Sequence, residues 1–600
     1  MIHFKIMDLQ KKTCQNCKQQ FTIEPADFKF YEKIQVPPPT FCPECRLRRR
    51  LAWRNERSLY ARNCDKCGKP MISVFSKDTG LRVYCSPCWW SDSWDGLEYG
   101  VDFDPQKPFL VQVRELFQRV PVMNLFGLYP SIVNSDYTNM VSYLKNCYLT
   151  THSDYDEDCA YGGFVTNSKD SVDNFLIDHC ELSYESVNCR KCFNIFYSVD
   201  CENCHNIYFS RNCIGCNDCF GCVNLRKAQY RIFNKPYSKE EYHKKINELK
   251  INSFSGREKL KEKAREFWMQ FPQKFIHERH NSNVTGDYIY NCKNTFDSFI
   301  AADAEDCRFC AIVTPGGLKD SYDFTHYGPK SELLYEALQI GQSSRVISSW
   351  FVIMNAREVE YSMFAIGSSN VLGVVGLKKR KYCILNKQYN KESFDKLRAK
   401  VIEQMNDNPY HDAKGNEYRY GEFFPIEMSP FGYNETTSQS MSPLTEEDAK
   451  AKGYRWKEPD KKTRQHTLTA SKLPETIREA GDDVTAQVIE CLHGGECGEQ
   501  CTVAFRYIPQ ELSFYKKMDV PLPRFCHNCR HSQRLAYQNP FKLWHRQCQC
   551  AGVCSENDIY KNTGEHFHKT KHCTNEFETT YAPEKSDIVY FEQCYLQEVA

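Results

Sequence analysis

The sequence predicts a multidomain chain: small α+β treble-clef and zinc-ribbon modules at both termini, and a central, duplicated parallel β-solenoid with helical insertions. Three observations predict it. A cysteine-and-arginine stretch near the start returns near the end, with Phe505 for Phe21, Tyr515 for Tyr31, Phe525-Cys526 for Phe41-Cys42 and Arg534-Leu535-Ala536 for Arg50-Leu51-Ala52. Cysteines recur with a 12-residue period at Cys180, Cys192, Cys204 and Cys216. Residues 204–235 realign without gaps on 356–387. Internal copies of this kind mark repeat architecture.

Bulk properties bound the reading. Six hundred residues exceed one hydrophobic core, so several domains are expected. A hydrophobic share of 41% and an aromatic share of 14% suit a folded chain. The formal charge of +1 excludes a global field for nucleic acid, so local charge must carry any such partner. The start, M-I-H-F-K-I-M, lacks the apolar core of a signal peptide, and the 33 cysteines fall largely in C-x2-C pairs. Both point to metal rather than disulfides, and to a reducing cytoplasm.

Seven segments are expected: a knuckle module at 1–62, a zinc ribbon and connector at 63–130, solenoid blocks at 131–237 and 279–390 with a helical insertion at 238–278, a helix and polar connector at 391–490, and a second metal region at 491–600. Cys14, Cys17, Cys42 and Cys45 form two C-x2-C pairs, each of which presents two thiolates at the angle a tetrahedral ion needs. The second pair opens a basic run with seven arginines, Arg46, Arg48, Arg49, Arg50, Arg54, Arg57 and Arg62, against one acid, Glu56. Leu47, Leu51 and Leu59 add apolar positions at helical spacing. Cys64, Cys67, Cys85 and Cys88 follow, with 17 residues between the pairs, inside the zinc-ribbon window.

From Asn134 the texture turns to short runs of Asn, Ser, Asp, Cys and aromatics. Twelve residues are expected to form one face and corner of a parallel solenoid, or half of a larger rung. The run Cys213, Cys216, Cys219, Cys222 invites an iron–sulfur cluster. The second copy argues against it, carrying Ala365, Ser368, Val371 and Val374 at those places, and small apolar residues replace a packed thiol but not a ligand. Both blocks end in a helix start, Ser238 with Glu241 in one and Asn390-Lys391 in the other. Between Asn134 and Ser186 there are ten acids and two lysines. That face is either solvated or docks on the chain's own arginine modules.

In the last segment Cys497, Cys501, Cys526 and Cys529 are the expected third site, with Cys491 as a spare ligand. A fourth draws on Cys548, Cys550, His568, Cys573 and Cys594, with Cys554, His566 and His572 as further candidates, because Phe591 stands where Cys85 would be and a histidine can substitute. About four zinc ions are expected. The motif C-x2-C-x3-F, then F-Y, then P-x2-F-C-x2-C-R resembles the short bacterial zinc-ribbon domain family over residues 13–50 and, more loosely, 496–534. The resemblance implies zinc on Cys14, Cys17, Cys42 and Cys45 and on Cys497, Cys501, Cys526 and Cys529; it implies no activity. The whole chain resembles large multi-zinc bacterial proteins without an assigned mechanism.

No G-x-S-x-G, P-loop, G-x-G-x-x-G or H-E-x-x-H occurs, and His277-Glu278-Arg279-His280 is a near miss. The leading expectation is a zinc-stabilised nucleic-acid-binding protein, for RNA or the ribosome rather than duplex DNA. The arginines above, with Arg530, Arg534 and Arg546 of the second copy, would touch phosphate. The alternative is a protein-interaction scaffold whose arginines pair internally with the acidic solenoid face. A weaker alternative is a zinc hydrolase at the mixed Cys/His site. No membrane and no small-molecule substrate is expected.

Overall fold

The computed structural model describes residues 9–458, 465–497, 500–550, 562–569 and 571–599. Among them no helix is long and apolar enough to cross a membrane. Two parallel β-solenoid blocks form the centre, and cysteine-rich modules sit at both ends.

The solenoid is built by its corners. Strands pair in parallel with partners 12 residues on: Thr151 with Gly163, Gly163 with Phe175, Phe175 with Val187 on one face, and Phe193 with His205, His205 with Asn217, Asn217 with Gln229 on another. One full coil of the first block therefore takes twelve residues, not one face or half a rung as the sequence suggested, and coils of the second block run from 11 to 14. Through most of the first block every third residue adopts a left-handed φ, as Met140, Tyr143, Asn146 and Leu149 do, and each such residue turns the chain. Four three-residue sides close one coil. Asparagine and aspartate tolerate this backbone better than other side chains. They also stack: Asn194 donates to Asn206 at 2.7 Å, and Asn206 to Asp218 at 2.9 Å. That is why the solenoid reads as Asn/Asp-rich.

The interior shows why Cys, Ser and Ala interchange. Cys204 Sγ donates to the carbonyls of Glu202 at 3.1 Å and Cys213 at 3.3 Å. Ser186 Oγ makes the same two bonds, to Tyr184 at 3.2 Å and Ile195 at 3.3 Å. Facing carbonyls favour the neutral thiol, and burial pushes the Cys189 and Cys292 thiols up to about 11. These sulfurs behave as small packed donors. Replacing Cys204 by alanine is expected to leave the metal content unchanged and to cost only about 1 kcal/mol, the value of a typical neutral hydrogen bond. Elemental analysis and urea unfolding check this; loss of a metal equivalent would assign the ladder to a cluster.

Both blocks terminate alike. After the last parallel strands, Gln229–Ile232 and Lys381–Ile384, a tight turn places Asn234 and Asn386 so that their side chains accept from Val223 and Val375 at 2.9 and 2.8 Å. Helices Lys239–Glu248 and Lys391–Asp407 then begin at the caps Ser238 and Asn390. Tyr242 packs on Tyr230 and Phe394 on Tyr382, so each helix covers an open solenoid end.

The terminal modules repeat element for element. Helix Pro25–Ile34 returns as Pro509–Met518, Pro43–Leu51 as His527–Leu535, and strand Tyr60–Asn63 as Trp544–Gln547. The N-terminal module packs on the second block through Phe30, Tyr31 and Trp53 against Tyr322, Tyr335 and Trp350. The C-terminal module packs on the first, with Phe514 and Tyr515 against Tyr184. The stretch the sequence reads as a polar connector adds Phe423, Phe424 and Phe431 to the first of these interfaces.

His277, from the near-miss motif, lies where three parts meet. Its ring stacks on Tyr288 at 4.4 Å and contacts Asp287 of the second block at 2.9 Å and Asp200 of the first at 3.5 Å, with Tyr581 of the C-terminal region alongside. Burial pushes its pKa down, but Asp287 and Asp200 outweigh burial and hold it up at about 10. A raised basic group stabilises fully below its unfolded value, about 6.5, and the contribution is lost as pH rises through about 10. Stability is thus expected to fall by a few kcal/mol across that window. His277→Gln should flatten the profile in paired urea titrations; an unchanged slope would contradict the assignment.

Candidate metal centres and the arginine helices

Each module opens with a β-hairpin whose first strand ends at a cysteine. The N–H of that cysteine bonds back across the hairpin: Cys14 to Gln19 at 2.8 Å, Cys64 to Lys69 at 2.9 Å, Cys491 to Val503 at 2.8 Å and Cys548 to Asn575 at 3.0 Å. Its sulfur then accepts a backbone N–H from the second ligand arm: from Cys42 at 3.3 Å, Cys85 at 3.2 Å, Cys526 at 3.2 Å and Phe591 at 3.1 Å. All four modules thus share one architecture. They differ in how much chain is inserted into the hairpin.

The donor groups converge. Cys14, Cys17, Cys42 and Cys45 hold their sulfurs within 4.8 Å of one another, as do Cys64, Cys67, Cys85 and Cys88, and Cys491, Cys501, Cys526 and Cys529. Individual separations are 3.6 Å for Cys17–Cys42, 3.8 Å for Cys67–Cys85 and 3.5 Å for Cys526–Cys529. A tetrahedral ion with metal–sulfur bonds of ~2.3 Å needs sulfur–sulfur edges of about 3.8 Å, so the three sets are geometrically suited to one. Burial pushes the Cys64 thiol up, yet the N–H groups of Cys67, Cys85 and Lys66 outweigh it and bring it down to about 7. Such N–H donors favour the thiolate that a metal requires.

The third set departs from the expected ligands. Cys491, the spare, stands in the place of Cys14, while Cys497 lies 3.6 Å from Cys529 in a second grouping, with His493, that shares Cys529. Pairing of Ile489–Glu490 with Ala504–Phe505 brings Cys491 to the hairpin base, whereas Cys497 lies within the inserted stretch. In the fourth module the insertion is longer. It brings Cys550, His566 and His568 together with Cys594. Cys550 Sγ lies 3.0 Å from His566 Nδ1 and 3.3 Å from His568 Nε2, and Cys594 Sγ lies 3.4 Å from His568 Nε2. The other nitrogen of His566 meets the buried carboxylate of Glu598 at 2.7 Å, the support that orients a ligating imidazole. Cys548 borders this group in the position of Cys64. Cys573 is buried beside it, but the four-donor group forms without it. Cys554 lies outside the described residues. No sequence pattern marked His566 above His568; its carboxylate partner sits on the last helix.

The arginines assigned to phosphate have other partners. Arg46, Arg49, Arg50, Arg54, Arg62, Arg530 and Arg534 are each at most 7% exposed. Arg46 Nε and Arg50 Nη1 grip the two oxygens of Asp323 at 2.8 and 2.9 Å. In the second module, Arg530 Nη1 and Arg534 Nη1 grip Asp173 at 2.7 and 2.8 Å. The two aspartates occupy the same kind of place, a left-handed solenoid corner, and both are fully buried. One coil earlier, Phe309 lies under Arg46 and Tyr161 under Arg530. Arg49 pairs with Glu336 and Glu422, Arg54 with Glu56, and Arg62 with Asp65. Arg48 donates to Ser442, Arg57 to the His527 carbonyl and Arg546 to the Tyr581 carbonyl. Helix spacing i, i+4 places two guanidiniums on one side, and a buried carboxylate is the partner that offsets their desolvation. The arginine helices therefore face the solenoids, and these seven side chains are turned away from solvent.

No protein-family model matches the chain, and no curated protein sequence matches it.

Proposed function

We infer that this protein is a zinc-stapled protein-interaction scaffold of a reducing compartment. The carrying observation is the paired clamp, Arg46 and Arg50 on Asp323 with Arg530 and Arg534 on Asp173. It turns both basic helices inward and joins the N-terminal module to the second block and the C-terminal module to the first. Closed all-thiolate sets suit zinc, and such zinc sites are structural, with no open position for water. The exposed solenoid faces, with Asn ladders and Lys145–Glu157–Lys169 charge ladders, are the surfaces left for a partner.

The test is native protein purified at low salt, with bound metal and the 260/280 nm absorbance ratio measured together and filter binding to mixed RNA from low to moderate salt. About four zinc ions with no RNA retained at any salt supports the scaffold. A defined RNA that co-purifies and dissociates steeply with salt overturns it in favour of an RNA or ribosome partner.

A further inference from the structure

Where the start of the first solenoid block meets the second, the surface opens into a cavity of about 310 Å³. Its floor and walls are apolar: Met140, Phe351, Ile353 and Met354. That volume lies at the lower end of the range for small-ligand sites, which pair an apolar lining with a few placed polar groups. The charge is one-sided. Asp154 is the sole acid of the lining, and no lysine or arginine lines it. Asp154 takes the hydroxyl of Ser142, but among the described residues no cation pairs with it. Neighbouring His326, whose ring nitrogen meets that of His152 at 2.8 Å, is held neutral by burial and the adjacent His152 and Arg54.

Tyrosines surround this carboxylate. Tyr143 and Tyr327 line the cavity, and Tyr155 stacks face to face on Tyr143 at 4.5 Å. Tyr143 and Tyr155 are 48% and 60% exposed, so this stacked pair stands in solvent without core packing to explain it. Burial next to Asp154, Tyr155 and Tyr143 pushes the Tyr327 hydroxyl up to about 12, which places all four groups in one neighbourhood. Tyrosine faces attract a cation within ~6 Å of the ring, and burial, which raises the pKa of Asp154, leaves a carboxyl whose charged form a bound cation would stabilise.

We propose that this inter-block cavity binds an organic cation with an apolar body, its ammonium or guanidinium head between Asp154 and the tyrosines and its body along Met140, Phe351 and Met354. The head belongs either to a free small molecule or to a methylated lysine or arginine side chain of a peptide. The two sources share the chemistry. The ligand would touch Tyr143 and Asp154 of the first block and Tyr327 and Phe351 of the second. The assignment does not depend on the scaffold reading, because it uses none of the metal ligands or arginine clamps.

Calorimetric titration of the full chain with benzyltrimethylammonium and with its uncharged carbon isostere tests it. The cation is expected to bind at least tenfold more tightly than the isostere. Asp154→Asn should remove most of that preference, and Tyr143→Ala, an exposed change that spares the fold, should weaken cation binding severalfold; thermal melting confirms that both variants are folded. A trimethyllysine peptide run in parallel sorts the sources: tighter binding than the free cation assigns a protein side chain, equal or weaker binding a small molecule. No binding of any cationic probe, equal affinity for the isostere, or an unchanged Asp154→Asn variant overturns the proposal.

Discussion

Asp323→Ala is expected to destabilise the protein by about 3–5 kcal/mol, the cost of removing one partner from a buried charge set. The carboxylate and both guanidiniums are at most 1% exposed, so no water replaces the lost oxygens. Arg46 would keep the Phe41 carbonyl at 2.8 Å and the Phe309 ring, and Arg50 the Thr325 hydroxyl at 3.5 Å and the distant oxygen of Glu336 at 3.7 Å. Asp323→Asn should cost less, because the amide still accepts one bond. The repeat supplies an internal control: Asp173→Ala should cost about the same, slightly tempered because Arg530 retains Glu511 at 3.3 Å. Urea unfolding followed by tryptophan fluorescence reads the first variant directly, since Trp53 of the module packs on Trp350 of the solenoid at 5.2 Å. A loss under ~1 kcal/mol would mean the clamp is no stronger than a surface pair. Replacing Asp323, Arg46 and Arg50 together by apolar residues of similar volume should recover much of the stability, because the penalty comes from unpaired charge.

The clamp also shows what a sequence discloses. The duplication of the arginine helix was legible, since matching residues such as Arg46 and Arg530, or Tyr31 and Tyr515, are read in register, and the two helices start and stop at matching places. Asp323 was not legible as their partner. It lies 277 residues from Arg46, and nothing local to an aspartate tells a buried corner from a solvated one. Asp173 came closer, because it falls in the acid-rich stretch that one alternative docked on the chain's own arginines. The solenoid was legible from its period, but its cross-section was not: twelve residues fit one long face as well as four short sides, and the left-handed corners that decide it include Tyr143, Leu149 and Phe164 beside the expected Asn and Asp. The first two metal sets were legible because their ligands sit next to short hairpin turns. The last two were obscured by insertions between ligands that spacing rules assume to be close.

That difference makes the third metal set the sharper test of the shared hairpin architecture. Cys491→Ser is expected to remove one metal equivalent and to unfold the C-terminal module, whereas Cys497→Ser should retain the full complement. The N–H of Cys526 points at Cys491 Sγ, as that of Cys42 points at Cys14, and helix His527–Leu535 starts directly from Cys526. Losing the ion forfeits apparent binding energy on the order of 10–16 kcal/mol at neutral pH, more than a small module's core supplies. Arg530 and Arg534 would then leave Asp173 buried without a cation, so the damage should spread into the first solenoid block. Native mass spectrometry counts the ions, and limited proteolysis reports whether the Tyr184 face opens. The reverse outcome, with Cys497→Ser losing the metal and Cys491→Ser keeping it, would put the ligand in the inserted loop, as the family resemblance implies. Retention of the ion in both variants would mean that Cys491 and Cys497 exchange at one coordination position, and loss in both that each sulfur is required.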